Sequence, residues 1–164
     1  MKTRHDGSTE LGQNAETRFE AMLQSKGSTF RRANRHEDMF QHWDFLATVN
    51  EQSYKIEVKS MKRARRSDVQ VDPTLVYVEF LNVIGNPGWL YGQADLIALE
   101  QPTGFVVVQR KNLVVVAERL TNDEWANRPT LYKKYRRKDR PLECVSVLHI
   151  SDITLSIPFK FAKG

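Results

Sequence analysis

Trp43-Asp44-Phe45-Leu46-Ala47-Thr48-Val49, then Asn50-Glu51-Gln52-Ser53, then Tyr54-Lys55-Ile56-Glu57-Val58-Lys59: this stretch decides how the chain folds. Apolar and polar positions alternate with period two on both sides of a polar turn, the pattern of a hairpin with one buried face. Taking 50–53 as the turn sets Phe45 against Val58, Ala47 against Ile56 and Val49 against Tyr54, with Trp43 extending the same apolar side. On the other side Asp44 falls opposite Lys59 and diagonal to Glu57. A one-residue slip would bury the charges and expose Trp43 and Phe45, so the apolar pattern itself specifies the side each residue takes.

Outward from the hairpin, Leu11 to about Lys26 reads as an amphipathic helix, with Ala15, Phe19, Met22 and Leu23 on one face and Gly27 as its stop. Residues 28–41 show no clean period, and 60–72 read as a basic connection. Strands are expected over 76–83, 96–99, 105–109 and 143–150, with turns at Gly85-Asn86-Pro87-Gly88 and Gln101-Pro102-Thr103-Gly104. The stretch 111–120 mixes a valine run with helix formers, and a short helix is the favoured reading. The expectation is a loosely attached or disordered 1–10 followed by one α/β domain over 11–164, with a central mixed sheet flanked by helices.

With 164 residues, 40% of them apolar and 27% charged, the composition is that of an ordinary soluble domain able to bury a core. No stretch approaches the roughly 20 apolar residues of a membrane span. The polar start and the single Cys144, read as a buried thiol, point to a reducing, cytoplasmic setting. The four histidines (His5, His36, His42, His149) have no zinc-ligand spacing, and no phosphate-cradling glycine loop is present.

The net charge is +5, and it is unevenly spread. Residues 59–66 hold Lys59, Lys62, Arg63, Arg65 and Arg66 with no acid. Residues 131–140 hold Lys133, Lys134, Arg136, Arg137, Lys138 and Arg140 against Asp139 alone. Two such segments on an otherwise acidic chain suggest a polyanionic partner, nucleic acid above all, although basic clusters are often simply solvated. Tyr132 and Tyr135, interleaved with the second segment, can stack on unpaired bases or pack onto the core.

Glu57-Val58-Lys59 is the only acid-x-lysine tripeptide in the chain. Alone it reads as an ordinary half-buried strand; with Asp44 on the facing strand it brings two carboxylates and an ammonium together. That set suits phosphodiester hydrolysis. Mg²⁺ takes oxygen ligands and is usually held by one or two carboxylates plus the substrate phosphate. Asp44, Glu57 and the Val58 carbonyl can supply the protein oxygens. Lys59 can orient a water or stabilise charge that develops on the phosphate.

Asp44, a turn, then Glu57-Val58-Lys59 on the second strand of a hairpin resembles the catalytic core of the PD-(D/E)XK nuclease superfamily. Gly12-Gln13-Asn14-Ala15-Glu16, followed by Phe19, Leu23 and Gly27, looks like that superfamily's first helix. Gly88-Trp89-Leu90-Tyr91-Gly92-Gln93-Ala94-Asp95-Leu96-Ile97 looks like a segment of small nucleases of this class, many of them from phages and mobile elements. Trp43 departs from the motif by standing where proline would precede the aspartate.

The resemblance implies a restriction-endonuclease-like core that cleaves DNA with Mg²⁺ or Mn²⁺. It makes Asp44, Glu57 and Lys59 catalytic, with Glu16 joining Asp44, Glu57 and Val58 around the metal. Glu20, one turn further along the helix, is the rival to Glu16. Asp95 and Glu79 are auxiliary candidates, and Asp95 is better read as capping a turn or pairing with an arginine. DNA contacts fall to Lys62, Arg63, Arg65, Arg66, Lys133, Lys134, Arg136, Arg137 and Lys138. Two rival readings stand beside this one: a non-catalytic nucleic-acid-binding protein on the same fold, and an inhibitor or adaptor docking through Trp89, Tyr91 and Trp125. A homodimer is compatible with each.

Overall fold

The computed structural model describes residues 8–63, 70–156 and 160–162, with side chains over 10–63 and 70–153. Helix α1 (Ser8–Ser25) is followed by strand β1 (Thr29–Arg32), a π-helical turn (Glu37–Gln41), and strands β2 (Phe45–Val49), β3 (Gln52–Lys59) and β4 (Leu75–Leu81). A 3-10 turn (Trp89–Tyr91) leads to β5 (Leu96–Gln101), β6 (Gly104–Gln109), α2 (Arg110–Leu120), β7 (Cys144–His149), α3 (Ile150–Ser156) and β8 (Lys160–Ala162). The main sheet has the order β1-β2-β3-β5-β6-β8, with β3 and β5 parallel and every other pair antiparallel. β4 and β7 form a separate two-stranded antiparallel sheet. The chain is therefore an α/β domain with a mixed central sheet and helices on its faces, as the sequence pattern implies.

Alternation along the central strands assigns the two faces. Ala98, Phe105 and Val107 join Phe45, Ala47, Ile56 and Val58 under the Ala15, Phe19, Met22 and Leu23 face of α1. Ile97, Leu99, Val106 and Val108 face the opposite way, into a second cluster with Val76 and Val78 of β4, Leu148 of β7 and Leu113, Val116 and Ala117 of α2. Strands covered on both sides read as continuous apolar runs, which is the character of Phe105–Val108. Phe19 wedges against the rings of Phe45 and Phe105, at centroid distances of 5.5 and 5.1 Å. Truncating such a ring typically costs about 3–5 kcal/mol. α1 ends in a Schellman-type cap: Gly27 has φ +67, its N–H donates to Gln24 O, and the Ser28 N–H donates to Leu23 O.

The hairpin differs from its expected register by two residues. Asn50 and Glu51 both take positive φ (50° and 67°) and close a two-residue turn, so Phe45 pairs with Ile56, Ala47 with Tyr54 and Val49 with Gln52. A tight turn of this kind usually carries glycine, which is why Asn-Glu reads as part of a longer loop. Because the shift is even, each strand keeps its faces. Its effect is local: the ladder ends at the pair Phe45 and Ile56. Asp44 is held by Ile56 and Val58, its N–H donating to Ile56 O and its Oδ2 accepting the Val58 N–H, rather than standing opposite Lys59. Trp43 also departs from expectation. The chain bends at Asp44, and Trp43 joins the second cluster rather than the Phe45 face.

The structure adds β1, α3 and β8, and starts α1 at Ser8, within the stretch expected to be loose. β1 is an edge strand with largely exposed side chains, so it has no apolar period to read. Among the described residues, no helix is long and apolar enough to cross a membrane.

Candidate active site

Asp44 stands at the bend into β2, and Glu57 and Lys59 stand near the end of β3, with Lys59 beside Trp89 and in the field of Glu79 of β4. Asp44 and Glu57 are both buried, 8% and 6% exposed. The Val58 N–H donates to Asp44 Oδ2 at 2.7 Å, so the peptide between the two β3 charges holds the aspartate. Lys59 Nζ lies 2.7 Å from Glu57 Oε1 and 4.7 Å from the centroid of the Trp89 ring. Trp89 is itself buried, which corrects its expected place on an exposed interface; Tyr91 and Trp125 are exposed.

Glu16 approaches from α1. It forms a side-chain hydrogen bond with Asp44, whereas Glu20 is taken by Arg32 at 2.5 Å. Of the two helix acids, Glu16 is therefore the one beside Asp44. Asp95 lies apart, its Oδ2 accepting the Lys55 N–H at the start of β5. Glu79 comes close from β4: its carboxylate accepts the Trp89 N–H at 3.4 Å and lies in the field of Lys59. Burial raises its pKa against that field. Gly88 makes this approach possible, because a Cβ there would lie 2.6 Å from Glu79 Cγ.

The electrostatics are unbalanced. Burial, then the Glu57 charge, then the hydrogen bond and charge of Glu16 push the Asp44 carboxyl up to about 10, against the lowering effect of the Val58 N–H. Burial opposes the Lys59 ammonium, but the fields of Glu57 and Asp44 and the bond to Glu57 outweigh it and raise its pKa. Among the described residues, Glu57 Oε2 and the neighbouring Ser60 Oγ are buried without a hydrogen-bond partner. A buried carboxylate oxygen with no partner, beside an aspartate that holds its proton, is a place where a cation would relieve strain.

No group of three His, Cys, Asp or Glu side chains among the described residues is arranged as a metal cage. A hard divalent cation that keeps most of its waters does not need one. Asp44 and Glu57 fit that lesser requirement.

A cleft of about 1500 Å³ reaches this site through Lys59, Glu79 and Trp89, while Asp44, Glu57 and Glu16 are not part of its wall. Lys59, Lys62 and Arg63 line one part of it, and Arg128, Arg137 and Lys138 another, so the two basic segments meet across one groove. Glu100 and Glu143, also in its wall, are buried and paired with Arg18 and Arg137 respectively. The other basic candidates turn elsewhere. Lys133 pairs with Glu124 at 2.8 Å, Lys134 with Asp123 at 3.0 Å, and the Arg136 guanidinium lies 4.0 Å from the Trp125 ring centroid. Arg65 and Arg66 lie outside the described residues. Tyr132 packs against the core with its hydroxyl donating to Asp152, while Tyr135 faces the cleft. A second, apolar pocket of about 780 Å³ lies between α1 and the far end of the hairpin and contains none of these site residues.

No family model, curated protein or solved structure matches this chain.

Proposed function

We propose that this protein is a divalent-metal-dependent nuclease of the PD-(D/E)XK type that hydrolyses phosphodiester bonds, with DNA as its substrate. The observation that carries the reading is the junction of Asp44, Glu57 and Lys59, backed by Glu16, with Lys59 lining a cleft that gathers both basic segments. Asp44 and Glu57, with the Val58 carbonyl, are the oxygens that would hold Mg²⁺ or Mn²⁺, and Glu16 would act through Asp44. When bound, such an ion supplies positive charge that acidifies an attacking water and neutralises the phosphate.

The chain's own groups do the rest. Lys59, held by Glu57 and the Trp89 face, presents an ammonium to charge building on the phosphate oxygens. Burial keeps bulk water from the two carboxylates, and Lys62, Arg63, Arg128 and Lys138 take flanking phosphates. The test is a panel of labelled single-stranded, duplex and branched DNA and RNA, incubated with Mg²⁺, Mn²⁺ or EDTA. Cation-dependent cleavage supports the reading. Salt-sensitive binding with no cleavage under any cation would replace it with the non-catalytic reading.

A further inference from the structure

We infer that the cleft selects an unpaired polynucleotide strand, gripping it by base stacking on the open face of the β4–β7 sheet. This rests on the nuclease reading only for what happens at Asp44 and Glu57; the grip itself is independent of cleavage. The pairing of this small sheet makes the face. Tyr77 of β4 is opposite Val147, and Glu79 is opposite Val145. On the far edge of β7, Leu131 bridges to Val147 and Tyr135 bridges to Val145. Residues directly opposite one another share a side, so Tyr77, Glu79, Val145, Val147 and Tyr135 fall on one side, where Val147 is buried and the other four are partly exposed, while Val76, Val78, Ser146 and Leu148 are buried on the other.

That surface lies in the cleft. Tyr77, Glu79, Val145 and Tyr135 all line it, and both tyrosines are partly exposed. The Tyr77 hydroxyl donates to the Arg63 carbonyl, which fixes the ring beside the first basic segment. Tyr135 is fixed through its backbone, which exchanges hydrogen bonds with Val145 at 2.9 Å in both directions. Two strand spacings across and one side-chain repeat along put the two tyrosine Cα atoms roughly 12 Å apart. Arg63, Arg128 and Lys138 line the same cleft, together with the acids Glu100, Asp139 and Glu143, and Glu79 connects the platform to Lys59.

Aromatic rings on a sheet floor between cationic walls match the chemistry of an unpaired strand, whose bases offer their faces and whose phosphates follow the cations. In a duplex the base faces are stacked on one another, so the rings would have no base face to take up. The cleft therefore leads an unstacked strand along Tyr135 and Tyr77 towards Lys59.

The test measures binding without turnover, by fluorescence anisotropy with Ca²⁺ in place of Mg²⁺. The probes are a labelled 15-nucleotide DNA strand, the same sequence as duplex, and the matching RNA strand. Wild type should bind the unpaired strands at least about tenfold tighter than duplex. Tyr77→Leu and Tyr135→Leu keep apolar bulk but lose the ring, and each should weaken unpaired-strand binding about fivefold or more, while Phe at either position preserves it. Duplex affinity should change by less than about twofold in the same variants, since residual duplex binding is electrostatic.

Equal or tighter duplex binding by wild type would overturn the inference without reference to any variant. So would leucine variants that bind the unpaired strands like wild type, or that lose both forms alike. Tight unpaired-strand binding in a protein that never cleaves would sustain this inference and sink the nuclease reading. Metal-dependent cleavage with a preference for duplex would do the reverse.

Discussion

Replacing Asp44 by asparagine should stabilise the metal-free protein at neutral pH, although the residue sits at the centre of the proposed site. With its pKa pushed up to about 10, Asp44 holds a proton at pH 7 that the unfolded chain would have released near pH 4. A carboxyl whose folded pKa lies above its unfolded value leaves the native state most stable below about pH 4, with stability lost as pH rises towards the folded value. Three pH units at about 1.4 kcal/mol each set a ceiling of about 4 kcal/mol at pH 7. Local relaxation and water entry lower that figure, and a gain of at least about 1 kcal/mol is expected.

Asparagine cannot ionise, its oxygen can still accept the Val58 N–H, and its amide can donate to Glu16. Thermal unfolding in EDTA from pH 4 to 8 reads the effect. The variant and wild type should melt together near pH 4 and diverge above it. By pH 7 Asp44→Asn should lead by at least about 2–4 °C, the shift that about 1 kcal/mol gives a chain of this size. Parallel pH profiles, or a variant that melts lower at pH 8, would refute the electrostatic account of the site.

The same proton makes metal uptake pH-dependent. Mn²⁺ binding at pH 7 should release about one proton, seen as heats that change with the ionisation enthalpy of the buffer, and affinity should rise with pH. Equal heats in every buffer would mean that Asp44 is not displaced from its proton. Within the second basic segment the side chains divide by partner. Arg137→Ala strands the buried Glu143 and should cost about 1–3 kcal/mol, allowing for the half-exposed arginine, whereas Lys138→Ala should leave the melting temperature within about 1 °C and flatten the salt dependence of DNA binding. Equal destabilisation by the two substitutions would contradict that division.

The hairpin was readable because its two strands alternate cleanly, and Asp44, Glu57 and Lys59 follow from that alternation. The register was not, because Asn50-Glu51 adopts a turn that those residues seldom make. Periodicity also located the buried face of α1, but a helix face cannot by itself separate Glu16 from Glu20, one turn apart. The Arg32 partner of Glu20 comes from β1, an exposed edge strand with no readable period. Trp89 over Lys59, and Glu79 beside it, depend on the packing of the β4 layer against the end of β3, which no local pattern encodes. Gly85-Asn86-Pro87-Gly88 was legible only as a turn, and the need for glycine at 88, where a Cβ would have no room against Glu79, comes from the tertiary packing. The two basic segments were legible as charge, but their meeting in one cleft is a property of the tertiary fold.

The central claim is that Asp44, Glu57 and Lys59 form a metal-dependent phosphodiester-cleaving site, and single-turnover cleavage of end-labelled DNA by wild type and Lys59→Ala tests it most directly. Enzyme is held in excess, with Mg²⁺, Mn²⁺ or EDTA, and affinity is measured separately in Ca²⁺. Wild type should cleave with Mg²⁺ or Mn²⁺ and be silent in EDTA. Lys59→Ala should bind DNA as tightly and cleave at least ~100-fold more slowly, the scale of losing one transition-state donor. Cleavage by wild type in EDTA, no cleavage with either cation, or full activity in Lys59→Ala would contradict the account.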